Sequence, residues 1–402
     1  MNNDKCNNRK KTPEFIQEFL RNNTIDNAKR RELRGMQPVN AREIILKDAN
    51  GVEKKCLNFS SNDYLGLNFN SEVVAEAKEW ANKFGAGSGA SRLVTGTVSE
   101  YLALEERIAL WKNAPAAMII GSGYMANVGL LQAITDRKTL ILADRLNHAS
   151  LNLGCQQSGG KFIRYQHNDL SSLLQSIERF SDRYERKVIV SDTVFSMDGD
   201  VGYIDELHKT ATENDAILYL DDAHASGVLG EYGKGLATFD KCDLAMGTFS
   251  KALGAYGAYV ACSEEFKQYF INKCGSFIYS TALPPAAYGA ISAAVRLVQS
   301  TEFDEKRAKL FKRVNSFKDE LKASNINIGN STTQIVPVIV GDSAKAMEIS
   351  EKLLTNDNIL AVAIRPPTVP KGTARLRIII NTDHTDDDIN LLTEKVIQYV
   401  KE

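Results

Sequence analysis

The sequence has no C-x-x-C pair and no histidines at ligand spacing from its six scattered cysteines, Cys6, Cys56, Cys155, Cys242, Cys262 and Cys274. That distribution argues against a zinc site and against a disulfide framework, so no metal and a reducing compartment are expected. No apolar run is long enough to span a bilayer. The opening "MNNDKCNNRKKTPEF" lacks the apolar core and small-residue cleavage site of a secretory signal, and a cytoplasmic location is the expectation. Charge of neither sign prevails: 49 basic and 50 acidic residues leave a formal net charge of -1, which gives no footprint for nucleic acid or for an anionic membrane. There is no internal repeat, no low-complexity linker and no G-x-x-x-x-G-K-[ST] phosphate loop, "EYGKGLA" having the wrong spacing.

What is present is an ordinary globular composition, 43% hydrophobic and 25% charged over 402 residues, with length enough for two or three lobes. Residues 1–58 read as an N-terminal arm: a polar helical stretch, a short "EIIL" strand and the turn "DANG". Residues 59–294 alternate short apolar runs with stretches of helical period and read as a large α/β domain. The runs are "AAMII" (116–120), "TLILA" (139–143), "KFIRY" (161–165), "KVIV" (187–190), "AILYL" (216–220) and "GAYVA" (257–261). Between them Leu170, Leu173, Leu174 and Ile177 fall on one helix face. Residues 295–402, with a charged helix, "QIVPVIVG" and "ARLRIII", read as a smaller α/β domain. Such alternation predicts an α/β fold whose central sheet is mostly parallel and covered on both faces.

In open α/β sheets ligands lie beyond the carboxyl ends of the strands. The residues just after each apolar run are chemically pointed: "GSGY" (121–124), His148, Ser196 in "SDTVFSMDGD", Asp221 and His224 in "DDAH", and Lys251 in "TFSKALG". Each alone has an ordinary reading: a surface lysine, a helix-capping acid, a tight turn. Together they match one ligand. Backbone N–H groups of "GSGY" at a helix start, with Thr248 and Ser250, can hold a phosphate. A buried Asp221 can keep an aromatic nitrogen protonated, and Lys251 can form an imine with an aldehyde. Pyridoxal 5'-phosphate carries those three handles. A competing signal, "GAGSGA" (85–90), fits the loose dinucleotide pattern G-x-G-x-x-A, but "SEVVAEAKEWANKF" before it reads as a helix where that motif needs a strand.

The motifs "LNFSSNDYLGL", "GSGASRLVTG", "ADRLNHASL", "SDTVFSMDGD", "DDAHASGVLGEYGKG", "TFSKALGAYG", "IYSTALPP" and "RPPTVPKGTARLR" occur in this order over nearly the whole chain after the arm. In them the sequence resembles the α-oxoamine synthase family of fold-type I pyridoxal-phosphate enzymes. The resemblance implies an aspartate aminotransferase-like fold with a mostly parallel central sheet and a smaller C-terminal α/β domain. It implies an acyltransferase that condenses an amino acid with an acyl thioester, on coenzyme A or acyl carrier protein, with loss of carbon dioxide; the last motif points to L-alanine and a pimeloyl chain. By the same resemblance Lys251 would form the imine and take the substrate proton, Asp221 would pair with the pyridine nitrogen, and His224 would reach the phenolic oxygen. His148 would stack on the ring, Ser196 would contact the cofactor, and Gly123, Tyr124 and Thr248 would hold its phosphate. Thr281 would reach the phosphate of a neighbouring subunit, implying a homodimer with shared sites.

For substrate the pattern implies Arg34, Asn62, His148 and Thr368, with one of Arg365, Arg375 and Arg377 on a carboxylate. Arg375 and Arg377 share one strand face; Arg377 is preferred, with Arg365 in reserve. The sequence departs from the pattern in having Tyr124 and Asn147, and the arm "RELRGMQPV" matches only loosely, which bears on Arg34. Sibling activities taking other amino acids or acyl groups stay open.

Overall fold

The computed structural model describes residues 12–23, 33–47 and 51–402; most of the expected "DANG" turn lies outside them. The described strands are β1 (Met36–Pro38), β2 (Glu43–Lys47), β3 (Glu53–Asn58), β4 (Ala116–Ile120), β5 (Thr139–Asp144), β6 (Lys161–Tyr165), β7 (Arg186–Asp192), β8 (Ala216–Asp221), β9 (Leu244–Thr248), β10 (Ala258–Cys262), β11 (Ile335–Gly341), β12 (Ile359–Leu360), β13 (Val362–Ile364) and β14 (Ala374–Ile379).

The central sheet has the order β4-β10-β9-β8-β7-β5-β6. The chain from β5 to β9 is joined by parallel pairings, whereas β10 runs antiparallel to both β9 and β4. Residues 249–257, between β9 and β10, contain no helix, and a parallel return needs a crossover of a dozen or more residues; the strand therefore folds straight back. All residues of β4, β5, β9 and β10 are buried, as a sheet covered on both faces requires.

Side chains alternate between two cores. Met118, Ile141, Val188, Val190 and Val260 pack with Leu130, Leu131 and Leu151 of the helices Gly123–Ile134 and Ala149–Gln157. Ala117, Ile119, Leu140, Leu142, Ile189 and Leu218 pack with Leu104, Ile108, Leu173 and Leu207 on the other side. The predicted face of Leu170, Leu173, Leu174 and Ile177 lies on the helix Leu170–Phe180, where Leu173 and Ile177 are buried and Leu174 is partly exposed.

A second sheet, β11-β14-β13, is antiparallel and packs with the helices Thr301–Ala323, Ser343–Asp357 and Asp386–Lys401. The third, β1-β2-β3-β12, joins the two ends of the chain. There β3 pairs in parallel with β12, and the Phe59 carbonyl accepts from Ile379 N at 2.8 Å. Arg42 donates to both oxygens of Asp388 at 2.6 and 2.8 Å, and His384 stacks on Phe59 with centroids 4.0 Å apart. These contacts carry the "NDYLG" segment (62–66) to the central sheet's edge.

Candidate active site

The chemically pointed residues converge beyond the carboxyl ends of β4, β5, β7, β8 and β9. Ser122 caps the helix Gly123–Ile134, its hydroxyl accepting from Met125 N at 3.2 Å, so the first-turn N–H groups of Gly123 and Tyr124 have no partners within the helix. A Cβ on Gly123 would stand 3.7 Å from the Cβ of Thr248. The Thr248 hydroxyl lies 2.7 Å from the Ser250 hydroxyl and donates to the Gly257 carbonyl at 2.9 Å. A helix start and two hydroxyls thus lie side by side, a donor set suited to an anion.

Asp221 ends β8, and both of its oxygens are occupied: Oδ1 accepts from Ala223 N at 2.9 Å and Oδ2 from Asn127 Nδ2 at 2.8 Å. Asn127, buried on the helix Gly123–Ile134, is itself fixed, its Oδ1 accepting from the Tyr219 hydroxyl and its Nδ2 donating also to Ser150 Oγ, each at 2.8 Å. Asp192 stands opposite Asp221 in the β7–β8 register. Burial, and then the charge of Asp221, push its carboxyl well up, while it accepts from His148 N at 2.7 Å. Asn147 stitches the same corner, donating to the Val190 carbonyl at 2.9 Å and accepting from Asp192 N at 3.0 Å.

His148 caps the helix Ala149–Gln157, with Nδ1 2.7 Å from Ser150 Oγ. Burial lowers its pKa, Asp221 opposes this, and Lys251 lowers it further. Lys251 follows β9 and its Nζ lies 3.0 Å from His224 Nε2. Burial pulls that amine from 10.5 down to about 8 although Asp221 and Asp192 favour the charged form; Arg377 adds to the fall. His224 is neutral, driven well down by burial and then by Lys251, Arg377 and His148. Its Nδ1 lies 2.6 Å from the Tyr64 hydroxyl and its carbonyl accepts from Gln334 Nε2 at 2.9 Å.

The two arginines of β14 have different surroundings. Arg375 is neutralised: it donates to Asp198 at 2.6 Å and to the Met197 carbonyl at 3.1 Å. Arg377 has no carboxylate among its hydrogen-bond partners, donating to the Ser196 carbonyl at 2.6 Å and twice to Asn62 Oδ1 at 3.1 Å. Asn62, Tyr64, His224, Lys251 and Arg377 therefore form one contiguous group, with the Ser196 backbone at its edge. Arg365 contacts Met347 Sδ, and Thr368 is exposed. Arg34 is exposed just before β1. Thr281 lies in another loop, bridged to Ser91, and contacts none of the group.

Sequence reasoning missed Asn127, Asp192 and Tyr64. Asn127 sits one helical turn after Gly123, and Asp192 ends β7 as Asp221 ends β8; both positions could have been read from the strand-end pattern. Tyr64 had no such signal, because its contact with His224 spans 160 positions.

An anion-binding helix start, a fixed buried carboxylate and a weakly basic buried lysine, on this sheet order, define a pyridoxal-phosphate transferase of fold-type I. The donor set fits that cofactor. The chain belongs to the aminotransferase class I and II family, whose model matches residues 54–396. It is 43% identical to an 8-amino-7-oxononanoate synthase of Gluconacetobacter diazotrophicus, over 92% of this chain and 94% of that protein. It superimposes on serine palmitoyltransferase from S. paucimobilis with a TM-score of 0.85 at 26% identity, covering 96% of each chain. For the 8-amino-7-oxononanoate synthase of Francisella tularensis the TM-score is 0.74 at 26% identity, over 86% of this chain and 98% of that one.

Proposed function

We propose that the protein condenses L-alanine with a pimeloyl thioester, releasing carbon dioxide and the thiol, to make 8-amino-7-oxononanoate for biotin synthesis. The observation that carries this reading is the 43% identity, over nearly the full length of both chains, to a protein of that name. The geometry supports it: of the two β14 arginines, the one without a carboxylate among its hydrogen-bond partners belongs to the same contiguous group as the lysine, where an amino acid must present its carboxylate.

When bound, pyridoxal phosphate supplies an aldehyde and an electron sink for the carbanion. Asp221, fixed by Asn127, would hold the pyridine nitrogen protonated, and Thr248 with the N–H groups of Gly123 and Tyr124 would bind the phosphate. His148 would lie against the ring, and His224 and Ser196 would hold the phenolic oxygen. Arg377 and Asn62 orient the alanine carboxylate, so that the Cα–H points at Lys251 Nζ. Lys251, with a pKa of about 8, is an amine often enough near neutrality to accept that proton. Arg34 and Thr368 bind the acyl side.

In this reading the working unit is a homodimer. Tyr279, Val94 and Leu93 are exposed by 88%, 74% and 50% on the loops around Thr281, an apolar surface that a second copy carrying its own phosphate site would cover. The chain divides at residues 58 and 294 into arm, large domain and small domain. Location in the cytoplasm accords with five buried free thiols among the described residues.

The test offers L-alanine, glycine and L-serine with pimeloyl, acetyl, succinyl and palmitoyl thioesters of coenzyme A and of acyl carrier protein, and weighs the products. A pimeloyl-alanine amino ketone supports the reading; preference for any other pair assigns the chain to a sibling activity.

A further inference from the structure

A line of hydrogen bonds runs from Arg377 to Lys251. Arg377 donates twice to Asn62 Oδ1 at 3.1 Å; the Tyr64 hydroxyl lies 3.2 Å from that oxygen and 2.6 Å from His224 Nδ1; His224 Nε2 lies 3.0 Å from Lys251 Nζ. Tyr64 and His224 are buried, and Tyr64 stays protonated because burial pushes its hydroxyl up to about 12. A hydroxyl has one proton, so Tyr64 can donate to His224 or to Asn62 but not fully to both.

That choice fixes the tautomer of a neutral histidine. If Tyr64 donates to Nδ1, the imidazole proton is on Nε2 and points at Lys251, which must then be an amine with a free lone pair. If Tyr64 donates to Asn62, its oxygen accepts from Nδ1–H, and Nε2 offers a lone pair that can accept from an ammonium. With Lys251 as amine the two arrangements hold the same number of protons; only the second favours adding one at Nζ. The charged groups acting on Lys251 and His224, namely Asp221, Asp192, Arg377 and His148, are present in both.

Occupancy of Arg377 selects between them. In the structure Arg377 already donates twice to Asn62 Oδ1, and the Tyr64 hydroxyl lies 3.2 Å from that crowded oxygen but 2.6 Å from His224 Nδ1, which favours donation to His224. A carboxylate that draws the guanidinium donors to itself frees Asn62 to accept from Tyr64. We infer that Tyr64 is a positioning residue that links carboxylate capture at Arg377 to proton affinity at Lys251, by reversing its hydrogen bond between His224 and Asn62. This rests on the assignment of Arg377 as carboxylate site and Lys251 as base. It gives the cofactor-free protein a lysine amine able to react with an aldehyde, and its carboxylate-bound form a lysine of higher proton affinity.

The first test uses the cofactor-free protein labelled with nitrogen-15 in histidine, titrated with propionate, a carboxylate without an amine. The His224 signal, assigned by its loss in His224→Gln, should report Nε2–H without propionate and move toward Nδ1–H at saturation. Tyr64→Phe, unable to donate, should show one tautomer with and without propionate. Asn62→Ala, which leaves Tyr64 only His224 to donate to, should stay Nε2–H throughout. In the loaded enzyme Tyr64→Phe should lower kcat for alanine about tenfold with KM changed less than twofold, and propionate should no longer shift the pH midpoint of the cofactor's absorbance. An unchanged parent tautomer at saturation, a failure of propionate to bind, or a propionate response in Asn62→Ala equal to the parent's overturns the inference. A wrong substrate assignment would instead appear as the wrong product mass, with the tautomer response intact.

Discussion

The two arginines of β14 should separate cleanly by function. Each is largely buried, and they differ in what their charge meets: the Asp198 carboxylate for Arg375, and the Asn62 amide oxygen, the Ser196 carbonyl and the Tyr64 hydroxyl for Arg377. Replacing Arg377 by alanine removes two donors that can engage a carboxylate in a fork. Hydrogen bonds to a charged group are worth about 1.5–3 kcal/mol each, and allowing for water entering the site the loss should be about 3 kcal/mol, or ~100-fold in kcat/KM for alanine. Arg377→Lys should recover only part, since an ammonium keeps the charge and loses the fork. Arg375→Ala should act on the fold: it strands Asp198, whose side chain is 31% exposed and can rehydrate, so the cost should be about 1 kcal/mol and a Tm lower by about 1 °C, with KM for alanine little changed. Steady-state kinetics with varied alanine and thermal denaturation of both variants make the comparison. If Arg375→Ala raises KM as much as Arg377→Ala, or if Arg377→Ala leaves kcat/KM within threefold of the parent, the assignment by charge neutralisation is wrong.

Reaction of the cofactor aldehyde with Lys251 needs the amine, so uptake of pyridoxal phosphate by the cofactor-free protein should speed up as pH rises and level off above about 8; a rate flat from pH 6.5 to 9 would contradict the depressed pKa. His167 lies between Asp144 and Asp200, at 3.1 and 2.8 Å, and although burial opposes its charge these acids raise its pKa to about 10. With the folded pKa above the unfolded one, its stabilising contribution is complete below about pH 6.5 and fades as pH approaches 10; His167→Gln should cost about 1–3 kcal/mol at pH 7 by denaturant melting, and much less at pH 10. Gly199 has φ +68 and a Cβ there would overlap the Ile335 carbonyl oxygen. Gly199→Ala should therefore displace residues 196–200 and β11 from each other, lowering Tm and raising KM for alanine together, where an isolated binding defect would spare Tm.

The reacting groups were legible in the sequence because they stand at strand ends, and strand ends could be read from continuous apolar runs. Lys251, Asp221, His224 and His148 each follow a run that a covered sheet demands, and the structure brings them together there. The choice between Arg375 and Arg377 was not legible: two residues apart on a strand they look alike, and what distinguishes them is Asp198, brought to Arg375 by a loop 177 positions away. Tyr64 escaped for the same reason. Its role lies in a hydrogen bond across the fold, which leaves no local period or spacing. The reversed direction of β10 was within reach, since residues 249–257 are too short a connection for a parallel return.

The pairing of β3 with β12 bears on when the enzyme becomes competent. As the chain leaves the ribosome the central sheet can close once β10 has emerged, but the strand that seats Asn62 and Tyr64, paired with β2 on one side, lacks its other neighbour until residues 359 and 360 appear, and Arg377 comes later still. The phosphate cradle, Asp221 and Lys251 can thus be assembled on a nascent chain that has no carboxylate site. On the proposed roles, a chain that ends before β14 lacks Arg377 and with it the means of capturing an amino acid, so the last stretch of synthesis completes the catalyst.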